Sequence, residues 1–307
     1  ARGLDFFGEE IYKAKAKAVF LEDENYPELL KQISDPPYVL FYYGALPKES
    51  YKAVAIVGSR RETRYGSRQA KKIAEELALS HVMVVSGLAY GIDSAAHKGC
   101  LKGNGKTIAV LGSGIKNIYP KDNIPLARDI IRTGGCIMSE YPINSKPLPY
   151  HFPVRNRIVA GLCQAVLLIE AREKSGTLIT VGHALNQGRE VFALPGPVDM
   201  PTSATPHRIL REGARLCTCA QDILEDMGWE EAQLSFFDDK KENKKTKNLT
   251  NEQLKIYDSF YGDALSFEEL LEKTSLLASE LNANLVLMEL YGCIESLPGG
   301  MYRRKDI

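Results

Sequence analysis

The chain has 307 residues, 44% of them hydrophobic and 25% charged, with 39 basic side chains balanced by 39 acidic ones. That length suffices for one large core plus one or two small modules, and the balance excludes a global basic field, so any affinity for nucleic acid must come from locally concentrated charge. Six cysteines without a CxxC pair and five scattered histidines exclude paired zinc-ligand spacing and fit reduced thiols, while no apolar stretch approaches the roughly 20 residues of a membrane span.

No signal peptide is visible, and the expectation is a cytoplasmic protein with no membrane association, no metal and no cofactor. The chain opens on Ala1 rather than Met, which raises the expectation that an amino-terminal piece is missing.

Residues 1–50 form a short lead-in, punctuated by Glu22-Asp23-Glu24-Asn25-Tyr26-Pro27 and Asp35-Pro36-Pro37 and too small for an independent domain. From Tyr51 to about residue 228 the pattern alternates. The β-branched runs 53–57, 82–85, 107–111, 165–169 and 190–194 each end in a small or polar turn, and stretches of helical period lie between several of them. In the first such stretch Tyr65, Ile73, Ala74, Leu77 and Ala78 share one face, with Arg68, Lys71, Lys72 and Glu75 opposite. This predicts an α/β domain, extended Rossmann-like, with a mainly parallel sheet covered on both faces. Ligands of such sheets bind outside the carboxyl ends of the strands.

Gly58-Ser59-Arg60-Arg61 places a close-approach glycine and two guanidinium groups before a helix start, as an anion site or as a tight turn with solvated arginines. Ser86-Gly87-Leu88-Ala89-Tyr90-Gly91-Ile92-Asp93 can wrap a phosphate with Ser86, Gly87 and Gly91, and Asp93 suits a helix cap. After Gly112-Ser113-Gly114, Lys121 is either a phosphate contact or an ordinary exposed lysine. Phe152-Pro153-Val154-Arg155-Asn156-Arg157 reads as a short turn carrying two arginine forks and an amide. Arg155, Asn156 and Arg157 bind an anion there, or the arginines are salt-bridge partners capping a buried helix. Ser175, Gly176 and Thr177 suit oxygen ligands or a plain cap.

Gly103-Asn104-Gly105-Lys106-Thr107 ends like a phosphate-binding P-loop, but Cys100 stands where the first glycine belongs and a strand follows, so ATP hydrolysis through this segment is rejected. Glu140 and Glu170 lie near strand ends without an evident acid–base partner, and the balance favours binding over catalysis.

Residues 229–248, with the lysine run 240–247, read as a solvated linker. In residues 249–307, Thr250 with Gln253 and Ser266 with Glu269 have capping-box spacing. A third apolar-periodic stretch follows through Leu276, Leu277, Leu281, Leu285 and Met288, and Cys293–Tyr302 reads as a hairpin turning at Pro298-Gly299-Gly300. Three helices and a hairpin make a small C-terminal winged-helix domain. Glu280 and Glu289 on the third helix argue for protein contact or a structural role rather than DNA reading.

In their order, Gly58-Ser59-Arg60, Ser86–Asp93 with Ala96-His97, Leu111–Gly114 with Tyr119-Pro120, Glu140-Tyr141-Pro142, Phe152–Arg157, Glu170, Ser175–Thr180 and Leu194-Pro195-Gly196 resemble the DprA/Smf family of DNA-processing proteins. The resemblance implies a homodimer that binds single-stranded DNA and loads the RecA recombinase during natural transformation. Gly58, Ser59 and Arg60 would line a phosphate pocket, and Phe152, Arg155, Asn156 and Arg157 would lie in or beside it, with Phe152 stacking on a base or serving the core. Ser203-Ala204-Thr205-Pro206-His207 departs from the family's Ser-x-Gly-Thr-Asn, so no binding residues are carried there. The alternatives are a Rossmann-fold nucleotide-binding or nucleotide-processing enzyme using Arg155 and Glu170, and a scaffold acting through its winged helix.

Overall fold

The computed structural model describes residues 15–47, 50–173, 175–229, 250–260, 264–290 and 293–304. The chain divides into two compact units, with the boundary between residues 231 and 232. Most of the expected 229–248 linker, and residues 1–14 of the expected lead-in, lie outside the described residues.

Among the described residues, the larger unit is built on a nine-stranded sheet. Its strands are β1 (Lys17–Phe20), β2 (Val39–Gly44), β3 (Ala53–Val57), β4 (Met83–Ser86), β5 (Thr107–Val110), β6 (Cys136–Ser139), β7 (Ala165–Leu168), β8 (Glu190–Ala193) and β9 (Arg215–Leu216). They lie in the order β1-β2-β6-β5-β4-β3-β7-β8-β9. The seven strands from β6 to β9 are parallel, whereas β2 runs antiparallel to β6 and β1 antiparallel to β2. β1, β2 and β9 lie outside the expected strand runs, and β6 is the strand whose end carries Glu140.

Side chains alternate between two cores because the strand period is two. Ala53, Ala55 and Val57 face one side with Ile158, Val159, Val181 and Ala184, while Val54 and Ile56 face the other with Ile73, Leu77, Ile92 and Ala96. Neither face of β3 reaches water, which is why its sequence is an uninterrupted apolar run. The chain order reverses between β3 and β7, and this switch point opens a crevice at their carboxyl ends.

The helices are α1 (Glu28–Lys31), α2 (Arg64–Leu79), α3 (Ile92–Lys102), α4 (Ile124–Arg132), α5 (His151–Gly161), α6 (Thr177–Asn186), α7 (Ala204–Arg211) and α8 (Ala220–Asp226). Thr63 starts α2: its hydroxyl accepts from the Gly66 amide at 3.0 Å and donates to Glu170 Oε2 at 2.7 Å. The second Glu170 oxygen accepts from the Thr63 amide at 2.8 Å, so a carboxylate from the end of β7 seats the positive end of α2.

The smaller unit has helices α9 (Asn251–Asp258), α10 (Phe267–Thr274) and α11 (Ala278–Leu290) and strands β10 (Leu265–Ser266), β11 (Ile294–Leu297) and β12 (Met301–Arg304), a winged-helix arrangement. Both expected capping boxes form, Thr250 with Gln253 and Ser266 with Glu269. Gly299 and Gly300 turn the hairpin at φ +89° and +71°, values that favour glycine. The two acidic residues of α11 are engaged locally. Glu280 accepts from the Leu277 amide, and Glu289 accepts from the Ser296 amide and hydroxyl, tying the helix to the hairpin.

Helices α2 and α3 meet backbone to backbone at Gly99, where a Cβ would stand 2.2 Å from the Lys71 carbonyl oxygen. Gly99→Ala is expected to force the helices apart and lower the unfolding free energy by about 2 kcal/mol, measured as a lower urea midpoint. An unchanged midpoint would mean the helices part without strain.

Candidate functional site

A cleft of about 540 Å³ opens at the carboxyl ends of β3, β4 and β7, lined by the loops after those strands and by α5 and the start of α6. The loop after β3 is held by two bonds from neighbouring elements and one within itself. The Ser59 amide donates to the Glu170 carbonyl at 2.9 Å, the Ser59 hydroxyl donates to the Arg61 carbonyl at 2.9 Å, and the Ile92 amide donates to the Ser59 carbonyl at 3.1 Å. Gly91, at φ +78°, allows that last approach, since a Cβ there would stand 2.2 Å from the Ser59 oxygen. This folding leaves Arg60 and Arg61 exposed at the cleft, joined by exposed Arg172 from beyond β7. Among the described residues none of the three has an ion-pair partner. The Arg60 guanidinium lies 5.1 Å from the Phe152 ring centroid, within cation–π range.

The segment 152–157 is not a turn but the beginning of α5. Pro153 fits the first helical turn, where its missing N–H would have had no intrahelical partner. The helix separates the two arginines. Arg155 is 3% exposed, and its Nη1 donates to the Gly87 carbonyl at 2.8 Å and to the Val110 carbonyl. Burial lowers its pKa to about 10, and nearby Asp93 counters that. Asp93 lies in the first turn of α3 and does not cap it: its carboxylate accepts from the Gly87 amide at 3.1 Å and the Ala89 amide at 3.3 Å. Burial raises its pKa, and Arg155 opposes the rise. Arg155 and Asp93 thus hold Gly87 by its carbonyl and its amide, and a Cβ on Gly87 would stand 2.4 Å from Arg155 Nη2.

Arg157 lies outside the cleft lining and forms a two-pronged pair with Glu140 at 2.8 and 2.6 Å, while its Nε donates to Asp35. It joins α5 to the end of β6 and to the loop before β2. Ser86 is fully buried and donates to the Ile56 carbonyl at 2.7 Å. Lys121 is exposed on a short 3₁₀ turn away from the cleft lining. Gly58, Ser59, Arg60, Gly87, Phe152, Arg155, Asn156, Ser175, Gly176 and Thr177 all line the cleft. Ser175 and Thr177 hydroxyls lie 2.9 Å apart, and Thr177 donates to the Gly58 carbonyl at 3.3 Å. Arg172, which belongs to none of the expected anion-binding segments, and Thr180, at the end of the Ser175–Thr180 segment, line the cleft as well. A charged residue two positions past Glu170 at a strand end was the available signal for Arg172.

Two groups with catalytic character are occupied by structure. Both Glu170 oxygens serve Thr63. His97 is fully buried, and Thr107 donates its hydroxyl proton to the Val84 carbonyl, so it receives the His97 Nδ1 proton across 2.7 Å. That tautomer leaves Nε2 as an acceptor without a partner among the described residues. Burial lowers the His97 pKa to about 3, so the ring is neutral near pH 7.

Residues 17–228 match the family described as DNA recombination-mediator protein A, and residues 240–300 match the DprA winged helix domain. The chain is 39% identical over 301 residues to protein Smf of Escherichia coli K12, covering 92% of this chain and 76% of the relative. It is 45% identical over 202 residues to the DNA processing protein DprA of Streptococcus pneumoniae, covering 66% and 71%. The X-ray structure of the S. pneumoniae protein superposes with a TM-score of 0.65 at 42% identity, over 69% of this chain and 74% of that one. DNA processing protein A from Helicobacter pylori, whose structure was described for its single-stranded DNA binding mode, superposes at 0.62 with 28% identity, over 70% and 96%.

Replacing Arg155 with Met strands two carbonyls and leaves Asp93 without its countercharge, and is expected to destabilise the larger unit by about 3 kcal/mol. Arg60→Ala, which removes the exposed contact with Phe152 but no hydrogen bond or ion pair found among the described residues, is expected to stay within about 0.5 kcal/mol. Urea unfolding compares them, and equal effects would contradict the division into buried and free arginines. Acid sensitivity is a separate expectation. The unfolded chain takes up a proton near pH 6.5 that folded His97 refuses until about pH 3, so this stability is complete above pH 6.5 and is lost as pH falls toward 3. His97→Gln should flatten the fall of Tm across that window, and parallel profiles would exclude His97 as the cause.

Proposed function

The chain belongs to the DNA recombination-mediator protein A family, and from that premise we propose that its cleft binds single-stranded DNA without catalysis, as a homodimer that protects incoming strands and loads the RecA recombinase onto them during natural transformation. One observation carries the reading: three exposed arginines, without ion-pair partners among the described residues, surround a cleft whose wall includes an aromatic ring. Guanidinium groups bind phosphate without regard to sequence, and Phe152 offers a face to a base. The solved relative described for its single-stranded DNA binding mode supports the same ligand class.

The cellular side of the proposal, with RecA, dimerisation, transformation and a cytoplasmic location, rests on the family. Among the described residues no helix is long and apolar enough to cross a membrane. The winged-helix unit suits protein contact better than DNA, because α11 carries no arginine and exposes Val286 and Leu287. A nucleotide-processing enzyme is the weaker reading. Its two chosen residues are occupied, Glu170 by Thr63 and Arg155 by the Gly87 and Val110 carbonyls.

Titration of labelled oligothymidylate with the intact chain, Arg60→Glu and Arg172→Glu tests the proposal. Wild-type affinity should fall steeply with salt, and each charge reversal should weaken binding about tenfold and reduce the log–log salt slope by roughly 0.7 per lost phosphate contact. Salt-independent binding, or variants that bind like wild type, would remove the cleft as the DNA site. Turnover of a nucleotide panel would favour the enzymatic reading.

A further inference from the structure

A ridge of partly exposed aromatic side chains leads away from the cleft. Its first member is Phe152, which lines the cleft and packs so closely on Gly112 that a Cβ there would stand 2.8 Å from the ring. Tyr119, in the loop after β5, meets Phe152 with centroids 5.9 Å apart and planes tilted by 53°. Tyr90, in the loop after β4, comes next. Its hydroxyl donates to Asp122 Oδ2 at 2.6 Å, a residue three positions beyond Tyr119 on the same loop. Tyr119 and Tyr90 are 46% and 43% exposed, so much of each ring faces water rather than the core.

Phe152 belongs to both the cleft and the ridge, so the two surfaces are continuous. Ala89, the neighbour of Tyr90, also lines the cleft. The chemistry along the ridge suits a string of bases. Aromatic rings stack on any base through its π face, which gives affinity without sequence preference. Exposed Lys116 and Lys121 bracket Tyr119 in the chain and supply positive charge for the backbone of the same strand. The Asp122 carboxylate is engaged by the Tyr90 hydroxyl, which fixes the ring. That bond raises the Tyr90 phenol pKa, with Tyr119 adding to the shift, so the ring presented is uncharged.

We propose that Phe152, Tyr119 and Tyr90 form a base-stacking track that carries single-stranded nucleic acid out of the arginine cleft and across the ends of β4 and β5, with Lys121 reaching its phosphates. The proposal rests on the reading of the cleft as a single-stranded DNA site. It also gives the strand a direction across the sheet, from the switch point toward the antiparallel edge.

The test is fluorescence anisotropy with the intact chain and two labelled oligothymidylates, one of about four nucleotides to occupy the cleft and one of about sixteen to reach the ridge. Tyr119→Ala and Tyr90→Ala are each expected to weaken the long oligonucleotide roughly tenfold, leave the short one unchanged and leave the salt slope unaltered, because stacking rather than a phosphate contact is lost. Tyr119→Phe should retain wild-type affinity. If wild type binds both lengths and the alanine variants bind the long one equally well, the track is overturned while the cleft stands. A lower salt slope in the alanine variants would also overturn it, since the loss would then lie in phosphate contacts. If wild type binds neither length, the cleft reading fails and the track falls with it.

Discussion

The fold converges on a buried guanidinium. Parallel strands point their last carbonyl oxygens toward the crevice at the switch point, and an uncompensated row of oxygens there would repel any anion. Arg155 takes two of them, from Gly87 after β4 and Val110 at the end of β5. Burying a charge is costly, so the arrangement needs a counterion and full use of the donors. Asp93 supplies the first, and by binding the Gly87 and Ala89 amides it also fixes the loop that Arg155 holds from the other side. Arg155 and Asp93 together therefore tie α5 and α3 to the loop after β4 and the end of β5.

With the strand ends neutralised from within, the surface arginines are released from structural duty. Arg60, Arg61 and Arg172 stand at the mouth with solvated heads, the form in which a guanidinium exchanges water for phosphate at small desolvation cost. Arg157 shows the opposite outcome three helical positions from Val154. With Glu140 across both prongs and Asp35 on its Nε, it joins elements and has little left for a ligand. The two arginines of one hexapeptide thus serve structure, and the recognition charge comes from other loops.

The sequence disclosed what local chemistry determines. The buried parallel strands read as apolar runs because both faces are covered, and Thr250–Gln253 and Ser266–Glu269 announced helix starts because a capping box lies within four residues. What remained hidden depends on distant partners. Strand β2 pairs with β6 across almost a hundred residues, and its approach through Pro36-Pro37 looks like mere punctuation. Helix α5 carries polar and apolar residues on every side because it is wedged between the core and the cleft, so no stripe betrayed it. Arg155 and Arg60 are indistinguishable in sequence, and only the placement of Gly87, Val110 and Asp93 separates the buried one from the free one. The order of the loops was legible as a family pattern for the same reason that single loops were weak: each is a common turn, and their combination is not.

The proposed ligand follows from geometry as well as charge. A chain with no net charge exerts little long-range pull on a polyanion, so affinity must be gained at contact. Phosphate contacts alone would not distinguish a duplex from a single strand, since both present the same backbone. The aromatic wall can. Phe152 can stack only on a base whose face is open, and inside a duplex both faces are covered by neighbouring pairs. On the proposed reading, the free arginines supply most of the affinity, and the ring they surround supplies the preference for unpaired DNA. This preference needs no sequence readout, because every base has a π face, and it makes the cation–π contact between Arg60 and Phe152 the point where affinity and strand selectivity meet.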